Sequence, residues 1–324
     1  MASGYPIILD GAFGTELERR GFVARLPLWS ALALIEAPDL VQTIHKHYLA
    51  AGADILTAAT FRTTRYTLAK AGMADRAEEL TRLAIRLARE VLPPLFPPYS
   101  KGGDSDPSPF EKGGKEGGSE FQRFSLSAFQ PFPGVAASLA PLEDCYRPDL
   151  CPPDEILLRE HAHTARLLRD AGADLILVET QNSAREAQIA TEMALNMGLP
   201  VWTSFMPKSA TELYNGDSLT DAARVAFALG ANAVLINCCP PDLAAAAFQT
   251  LRAALPEGDI LLGAYPNFRA PEGKPWDFSA PLSPAEFARW GEQMVSLGAN
   301  ILGGCCGTTP EHIAALSEKL KAES

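Results

Sequence analysis

The chain has 324 residues, 47% of them hydrophobic and 21% charged, which supports a large folded core and excludes wholesale disorder. A closed α/β barrel of about 250 residues or more can account for such a length as one domain. The formal net charge of -11 argues against nucleic acid and anionic membranes as partners, and it favours a small molecule. Because neither a long apolar run nor a signal-peptide pattern occurs, we expect a cytoplasmic protein.

Short apolar runs alternate with longer amphipathic segments along the chain. The runs predict β-strands at residues 6–9, 54–58, 135–139, 175–179, 201–205, 233–237, 260–264 and 300–303. The amphipathic segments predict helices at residues 39–50, 64–91, 154–170, 183–197, 219–228, 243–254, 284–296 and 310–322. Buried parallel strands are continuous apolar runs, and helices return the chain for the next strand. This order predicts a (β/α)₈ TIM barrel, with an open doubly wound sheet as the alternative.

A short pattern recurs between a predicted helix and the strand that follows it. It is Ala-Gly-Ala-Asp at residues 51–54 and 171–174, and Leu-Gly-Ala-Asn at residues 229–232 and 297–300. A glycine placed just after a helix often takes the left-handed conformation that ends the helix. We therefore expect the same turn at all four places.

One segment, residues 93–133, departs from this alternation because it is rich in proline, glycine, serine and charge. A stretch of this length without a strand or helix pattern is typical of an insertion. We therefore predict one barrel domain over residues 1–324 that carries a flexible insertion at 93–133. The insertion would lead into the start of the third strand, at the end of the barrel opposite the expected active site.

Two pairs of adjacent cysteines follow predicted strands. Cys238 and Cys239 come after the sixth strand, and Cys305 and Cys306 come after the eighth. Both strand ends open onto one mouth of a parallel barrel, and the glycines beside the second pair let its backbone bend around one ion. With one cysteine from strand six, this pair predicts a three-thiolate zinc site whose fourth position is open to substrate, the arrangement of catalytic zinc.

Such a site would activate a thiol, because coordination to zinc removes the proton that a free thiol mostly keeps at pH 7. Two alternatives stay open: Cys239 as a fourth ligand that closes a structural site, and cysteines that are inert or disulfide-bonded. We interpret Cys145 and Cys151, in a proline-rich loop and its continuation, as residues that do not bind the metal. We expect none of the five histidines to bind it either.

Three motifs make the chain similar to a known family. They are Asp10-Gly11-Ala12-Phe13-Gly14-Thr15-Glu16-Leu17, Asn237-Cys238 and Gly303-Gly304-Cys305-Cys306-Gly307. The chain resembles the zinc-dependent homocysteine S-methyltransferases, which include S-methylmethionine-dependent and betaine-dependent enzymes and the homocysteine module of cobalamin-dependent methionine synthase. The likeness covers nearly the whole chain apart from residues 93–133. It implies a (β/α)₈ barrel that holds Zn²⁺ and methylates homocysteine to methionine, and thus a role in methionine biosynthesis.

The resemblance implies residue roles as well. Cys238, Cys305 and Cys306 match the zinc ligands of the family, and these three are the expected catalytic centre. Asp10 and Glu179 match positions that bind the homocysteine amino group. The alternatives are a turn-forming aspartate for Asp10 and a helix-capping or salt-bridging carboxylate for Glu179.

The substrate carboxylate calls for hydrogen-bond donors near the same mouth. The backbone N–H groups of Gly11 and Ala12, directly after Asp10, could supply them. Thr57 and Thr60 end the second strand at this mouth, and Thr60 is a further candidate for substrate binding. The alternative is that both threonines only suit a strand, because they are β-branched.

The methyl donor is expected to be a cation, because three thiolates and a substrate thiolate on zinc leave a net negative charge. Trp29 matches a family aromatic near this pocket, and Phe61 could add a wall. Arg62 stands where betaine enzymes carry a tyrosine, which argues against a quaternary ammonium donor. We therefore expect S-methylmethionine as the donor and a monomeric enzyme. The alternatives are a homocysteine-binding module methylated by a separate corrinoid protein, and a zinc-binding protein without enzyme activity.

Overall fold

Eight parallel strands form one sheet that curves into a barrel. The computed structural model describes residues 5–93, 134–258, 260–268 and 282–322. The strands are β1 (Ile7–Ile8), β2 (Ile55–Ala58), β3 (Gly134–Leu139), β4 (Leu175–Gln181), β5 (Val201–Phe205), β6 (Ala233–Asn237), β7 (Leu261–Tyr265) and β8 (Ile301–Leu302). β1 pairs with β8, the other pairs join consecutive strands from β2 to β8, and a parallel bridge between Leu9 and Ile55 joins β1 to β2. The predicted (β/α)₈ TIM barrel is confirmed.

Helices connect the strands around the outside of this sheet. They are α1 (Gly14–Arg19), α2 (Leu32–Glu36), α3 (Pro38–Ala50), α4 (Arg65–Ala69), α5 (Ala77–Arg89), α6 (Asp154–Asp170), α7 (Ala184–Leu195), α8 (Leu219–Leu229), α9 (Pro241–Ala254), α10 (Pro284–Ser296) and α11 (Pro310–Lys321). The prediction of one helix over residues 64–91 is wrong, because α4 and α5 are separate. Gly72 has a φ of +70° and ends the first of them, and a 3₁₀ turn at Ala74–Arg76 starts the second.

The recurring glycine turn is present four times, as predicted. The glycines have φ between +91° and +105°, and they are Gly52, Gly172, Gly230 and Gly298. Two residues after each glycine, an Asp or Asn side chain accepts a backbone N–H at the start of a neighbouring strand, over 2.7 to 3.0 Å. The pairs are Asp54 with Ile8, Asp174 with Val135, Asn232 with Val201, and Asn300 with Leu262. These amino-end latches join β1 to β2, β3 to β4, β5 to β6 and β7 to β8.

The barrel interior is filled by side chains. One buried cluster inside the barrel contains four side chains that are inaccessible to solvent, those of Leu177, Trp202, Leu235 and Ile301. Burying a side chain of this size stabilises the folded state by about 1.5–3 kcal/mol. A filled interior leaves the open ends of the strands as the places where a ligand can bind.

The structure tests the predicted insertion only at its borders. The predicted insertion at residues 93–133 lies outside them except for Pro93. The elements on either side of it, α5 and β3, are in place. Across the described helices, none combines the length and the apolar character that crossing a lipid bilayer requires.

Candidate active site

A cavity of about 710 Å³ lies at the carboxyl ends of the strands. Side chains that follow five different strands line it: Asp10 after β1, Thr57 and Arg62 at β2, Glu179 in β4, Cys238 after β6, and Cys305 with Cys306 after β8. The parallel order of the strands explains this convergence, because every strand delivers its last residues to the same end of the barrel.

Three cysteines form a cluster in the wall of this cavity. The sulfur atoms of Cys238, Cys305 and Cys306 all lie within 4.8 Å of one another, and the Cys238 and Cys305 sulfurs are 2.9 Å apart. Within the described ranges, this cluster is the one group of cysteine, histidine or acidic side chains close enough to share a metal ion. The structure thus brings together the three predicted ligands and leaves the buried Cys239 outside the group.

The backbone around the cluster has the bends that adjacent cysteines require. Cys238 has a φ of +55°, a left-handed conformation that costs a non-glycine residue about 1–3 kcal/mol. After β8, Gly307 has a φ of +88°, and a Cβ atom on Gly304 would collide with the side chain of Thr308. The strain at Cys238 and the glycines of the β8 loop are the local features that turn the three sulfurs toward one point.

Hydrogen bonds among the three thiols alter their acidity. Those from Cys238 and Cys305 stabilise the Cys306 thiolate and hold the pKa of Cys306 well below its usual range. The hydrogen bond with Cys305, followed by the one with Cys306, raises the pKa of Cys238 well above its usual range. One sulfur of the cluster therefore ionises easily, while the others keep their protons until a cation compensates the added charge.

Asp10 is a buried carboxylate beside the cluster. Its two oxygens accept hydrogen bonds from the backbone N–H and the hydroxyl of Thr57, at 2.7 and 2.8 Å. Burial nevertheless raises the pKa of Asp10 to about 7, and the hydrogen bonds from Thr57 oppose that shift. Because burial disfavours the charged form of this carboxylate, a cation beside it would stabilise that form.

Glu179 is the second buried carboxylate of the cavity. Burial raises its pKa to about 8, although the hydroxyls of Ser138 and Tyr265 favour its charged form. The Tyr265 hydroxyl lies 3.4 Å from Oε2 of Glu179, and the charge of Asp10 raises the same pKa further. The two carboxylates thus form one acidic region that a ligand ammonium would stabilise.

Asn237 ties the carboxylate strand to the cysteine strand, a role that the sequence did not indicate. Its Oδ1 accepts hydrogen bonds from the N–H of Thr180 and the hydroxyl of Ser204, and its Nδ2 donates to the Thr180 hydroxyl. Thr180 follows Glu179 and has a φ of +59°. Because Cys238 directly follows Asn237, one amide side chain positions residues on both sides of the cavity.

The remaining predicted substrate residues occupy different places. Gly11 and Ala12 line the cavity, but the N–H of Ala12 already donates to the hydroxyl of Thr308 over 3.0 Å. Thr60 is buried, is not part of the cavity wall, and donates its hydroxyl to the carbonyl oxygen of Ser138 over 2.9 Å. Thr57, the other threonine of the second strand, is the one that lines the cavity.

Aromatic side chains form another part of the cavity wall. Trp29 and Phe61 pack edge to face with their ring centres 6.4 Å apart. The guanidinium carbon of Arg62 lies 5.3 Å from the centre of the Phe61 ring. Tyr146 also lines the cavity, and no sequence motif indicated it beyond its place in a loop beside Cys145. The cavity therefore has a sulfur cluster, an acidic region and an aromatic wall with one arginine.

Fold and cavity together define a (β/α)₈ barrel with a cysteine cluster at its mouth. A sequence model described as homocysteine S-methyltransferase matches residues 7–320. The chain belongs to the homocysteine S-methyltransferase family and is an S-methyltransferase.

Relatives of known name are similar to it over nearly their whole length. Selenocysteine Se-methyltransferase of Brassica oleracea var. italica is 32% identical, over 98% of this chain and 89% of its own. Homocysteine S-methyltransferase 3 of Zea mays is 29% identical, over 98% of this chain and 91% of its own. The metallated homocysteine methyltransferase MmuM of Escherichia coli is 28% identical with a TM-score of 0.75, over 99% of this chain and 97% of its own.

Proposed function

We propose that this enzyme methylates the thiol of homocysteine to give methionine, with Zn²⁺ held by Cys238, Cys305 and Cys306 and S-methylmethionine as the methyl donor. The observation that carries the proposal is the meeting of three cysteine sulfurs within 4.8 Å in a cavity that also holds two buried carboxylates. A thiol ligand and its ammonium group would find complementary partners in that single cavity.

The donor set fits zinc. Three thiolates on one side of a cavity are the ligands that favour Zn²⁺, and three protein ligands rather than four are typical of catalytic sites. When bound, zinc supplies the Lewis acidity that lowers the pKa of a ligating substrate thiol. The E. coli relative has a structure in a metallated form, which supports a metal in this family.

The acidic region is the proposed binding site for the homocysteine amino group. Asp10 and Glu179 are both buried, and burial holds their pKa values at about 7 and about 8. An ammonium group between them would favour their charged forms and form charge-assisted hydrogen bonds. Gly11 lies next to Asp10 in the cavity wall and is the proposed backbone contact for the substrate carboxylate.

The donor would occupy the part of the cavity bounded by the aromatic wall. Trp29 and Phe61 offer aromatic rings whose faces suit a sulfonium cation. In the transfer, the bond from the methyl carbon to the donor sulfur breaks while the bond to the homocysteine sulfur forms. With S-methylmethionine each turnover gives two molecules of methionine and releases the thiol proton.

The direct test combines purified, zinc-loaded enzyme, homocysteine and one donor at a time, with methionine measured. We expect turnover with S-methylmethionine and little or none with betaine. Turnover with betaine alone, or with no donor until a methylated corrinoid protein is added, would contradict the donor assignment. Selenocysteine is the second acceptor to assay, because a relative is a selenocysteine Se-methyltransferase.

A separate measurement tests whether a thiol reaches the metal at all. In the cobalt-substituted enzyme, homocysteine should change the metal-thiolate absorption because its sulfur joins the coordinating set. An unchanged spectrum, together with tight metal binding, would instead indicate a zinc-binding protein without this activity.

Binding of the amino group should strengthen as pH rises. Asp10 and Glu179, with pKa values of about 7 and about 8 in the folded protein, are largely protonated at pH 6 and mostly charged at pH 8.5. An ammonium ligand prefers the charged carboxylates, so we expect roughly tenfold tighter binding across this range. Methionine is the probe, because its thioether does not titrate, and calorimetry gives its Kd. Affinity that is flat or falls with pH would contradict the prediction.

A further inference from the structure

Arg62 stands out among the residues of the cavity because its charge is buried without a counter-charge. Its side chain lines the cavity and is only 8% exposed. Among the residues that the structure describes, no carboxylate pairs with it; Nη1 donates to the carbonyl oxygen of Glu143 over 3.4 Å. Its Nε is buried and has no hydrogen-bond partner among the described residues. Buried arginines are normally paired, because an isolated charge is costly to remove from water.

The acidic groups nearest in sequence to that contact are engaged elsewhere. The carboxylate of Glu143 accepts hydrogen bonds from Lys70 at 2.5 Å and from the Tyr66 hydroxyl at 2.9 Å. An oxygen of Asp144 accepts the backbone N–H of Tyr146 over 3.0 Å. The loop thus offers Arg62 a neutral carbonyl, and the positive charge of the guanidinium stays available to the cavity.

Arg62 belongs to the aromatic wall and not to the acidic region. It packs on Phe61, which packs on Trp29, and these two rings bound the space assigned to the methyl donor. The amino end of homocysteine is assigned to Asp10 and Glu179. An anionic group at Arg62 therefore belongs to the second substrate.

We infer that Arg62 binds the carboxylate of the methyl donor, and that the enzyme selects sulfonium donors that also carry a carboxylate. This inference rests on the proposed function and adds the donor's second recognition point. A guanidinium forms two parallel hydrogen bonds with a carboxylate and fixes its orientation as well as its charge. The donor's cationic centre then extends from Arg62 toward the sulfur cluster.

The test crosses a change in Arg62 with a change in the donor. Arg62→Gln should raise the Kd and the KM for S-methylmethionine roughly 10- to 100-fold, the range for a lost charged hydrogen bond. The decarboxylated donor, 3-aminopropyl dimethylsulfonium, should bind wild type about as weakly, and Arg62→Gln should not weaken it further. Arg62→Lys, which keeps the charge but not the paired geometry, should lie between wild type and Arg62→Gln.

Arg147→Gln is the matched control. Arg147 lines the same cavity, but its side chain is 55% exposed and pairs with Asp149 at 2.6 Å. Its loss should change the KM for S-methylmethionine by no more than about twofold. Equal unfolding temperatures of the Arg62 variants and wild type would show that the fold is intact.

Two results would overturn the inference. If Arg62→Gln weakens both donors equally, Arg62 only supports the wall. If Arg62→Gln no longer changes the kinetics when homocysteine is replaced by 3-mercaptopropylamine, which is homocysteine without its carboxylate, then Arg62 binds the acceptor.

Calorimetric binding of the donor to enzyme without homocysteine separates this inference from the proposed function. Arg62-dependent preference for the carboxylate donor without any methionine formation would refute the proposed function alone. Methionine formation at equal KM from both donors would refute the role of Arg62 alone. If the wild-type enzyme binds neither sulfonium compound, the proposed role of Arg62 in donor binding is also refuted.

Discussion

Cys238→Ser, Cys305→Ser and Cys306→Ser should each lose bound zinc and almost all methyl transfer. Zinc sites with four ligands have apparent binding free energies of about 10–16 kcal/mol, which is about 3 kcal/mol or more for each ligand. The loss of one thiolate should therefore weaken zinc binding by about that amount. The expected loss of zinc affinity is therefore at least about 100-fold. Zinc content after dialysis and competition with a chelator measure it, and methionine formation gives the activity.

Cys239→Ser is the control for these variants. Cys239 is the neighbour of Cys238 and is equally a cysteine of the β6 loop, but its sulfur lies outside the cluster. It is 2% exposed, so the variant should lose some stability while it keeps its zinc and its activity. Loss of zinc from Cys239→Ser, or full zinc retention by Cys306→Ser, would show that the ligand set is wrong.

Glu179→Gln should weaken homocysteine binding roughly 10- to 100-fold and leave zinc in place. The neutral amide keeps the size of the side chain but cannot form the charge-assisted hydrogen bond, which is worth about 1.5–3 kcal/mol. Kd values from calorimetry and zinc content from elemental analysis provide the two readouts. Asp10→Asn should act in the same direction, because Asp10 faces the same acidic region.

Glu18→Gln is the matched control for both changes. Glu18 lines the same cavity, but it is exposed to solvent near the end of α1. Removing an exposed charge changes binding little, since water screens it. Unchanged homocysteine affinity in Glu179→Gln, or an equal loss in Glu18→Gln, would remove Glu179 from the proposed ammonium site.

Much of the architecture could be predicted because it depends on local patterns. The apolar runs located the strands to within one or two residues, and the glycine turns located the helix ends. The convergence of Cys238 with Cys305 and Cys306 followed from strand order alone, because parallel strands end at one mouth. The helix break at Gly72 was missed, because residues 64–91 were interpreted as one amphipathic run although Gly72 has a positive φ like the four turn glycines.

The supporting contacts of the site could not be predicted, because they join residues that are far apart in the chain. Asn237 contacts Thr180 across 57 positions, and Tyr265 contacts Glu179 across 86. No local pattern indicates which side chains will meet over such separations. Thr60 was the predicted substrate-binding threonine, whereas Thr57 is the one that lines the cavity. The sequence could not separate the two, because their burial depends on where the neighbouring β3 lies.

The amino-end latches bear on how such a barrel can change. They lie at the starts of the strands, whereas the cysteines, the carboxylates and Arg62 lie at the finishes, with a filled interior between the two groups. Substitutions at the carboxyl ends of the strands can therefore alter which methyl donor is accepted without breaking the hydrogen bonds at the amino ends. One barrel can thus serve different methyl donors while the pairing of its strands stays the same.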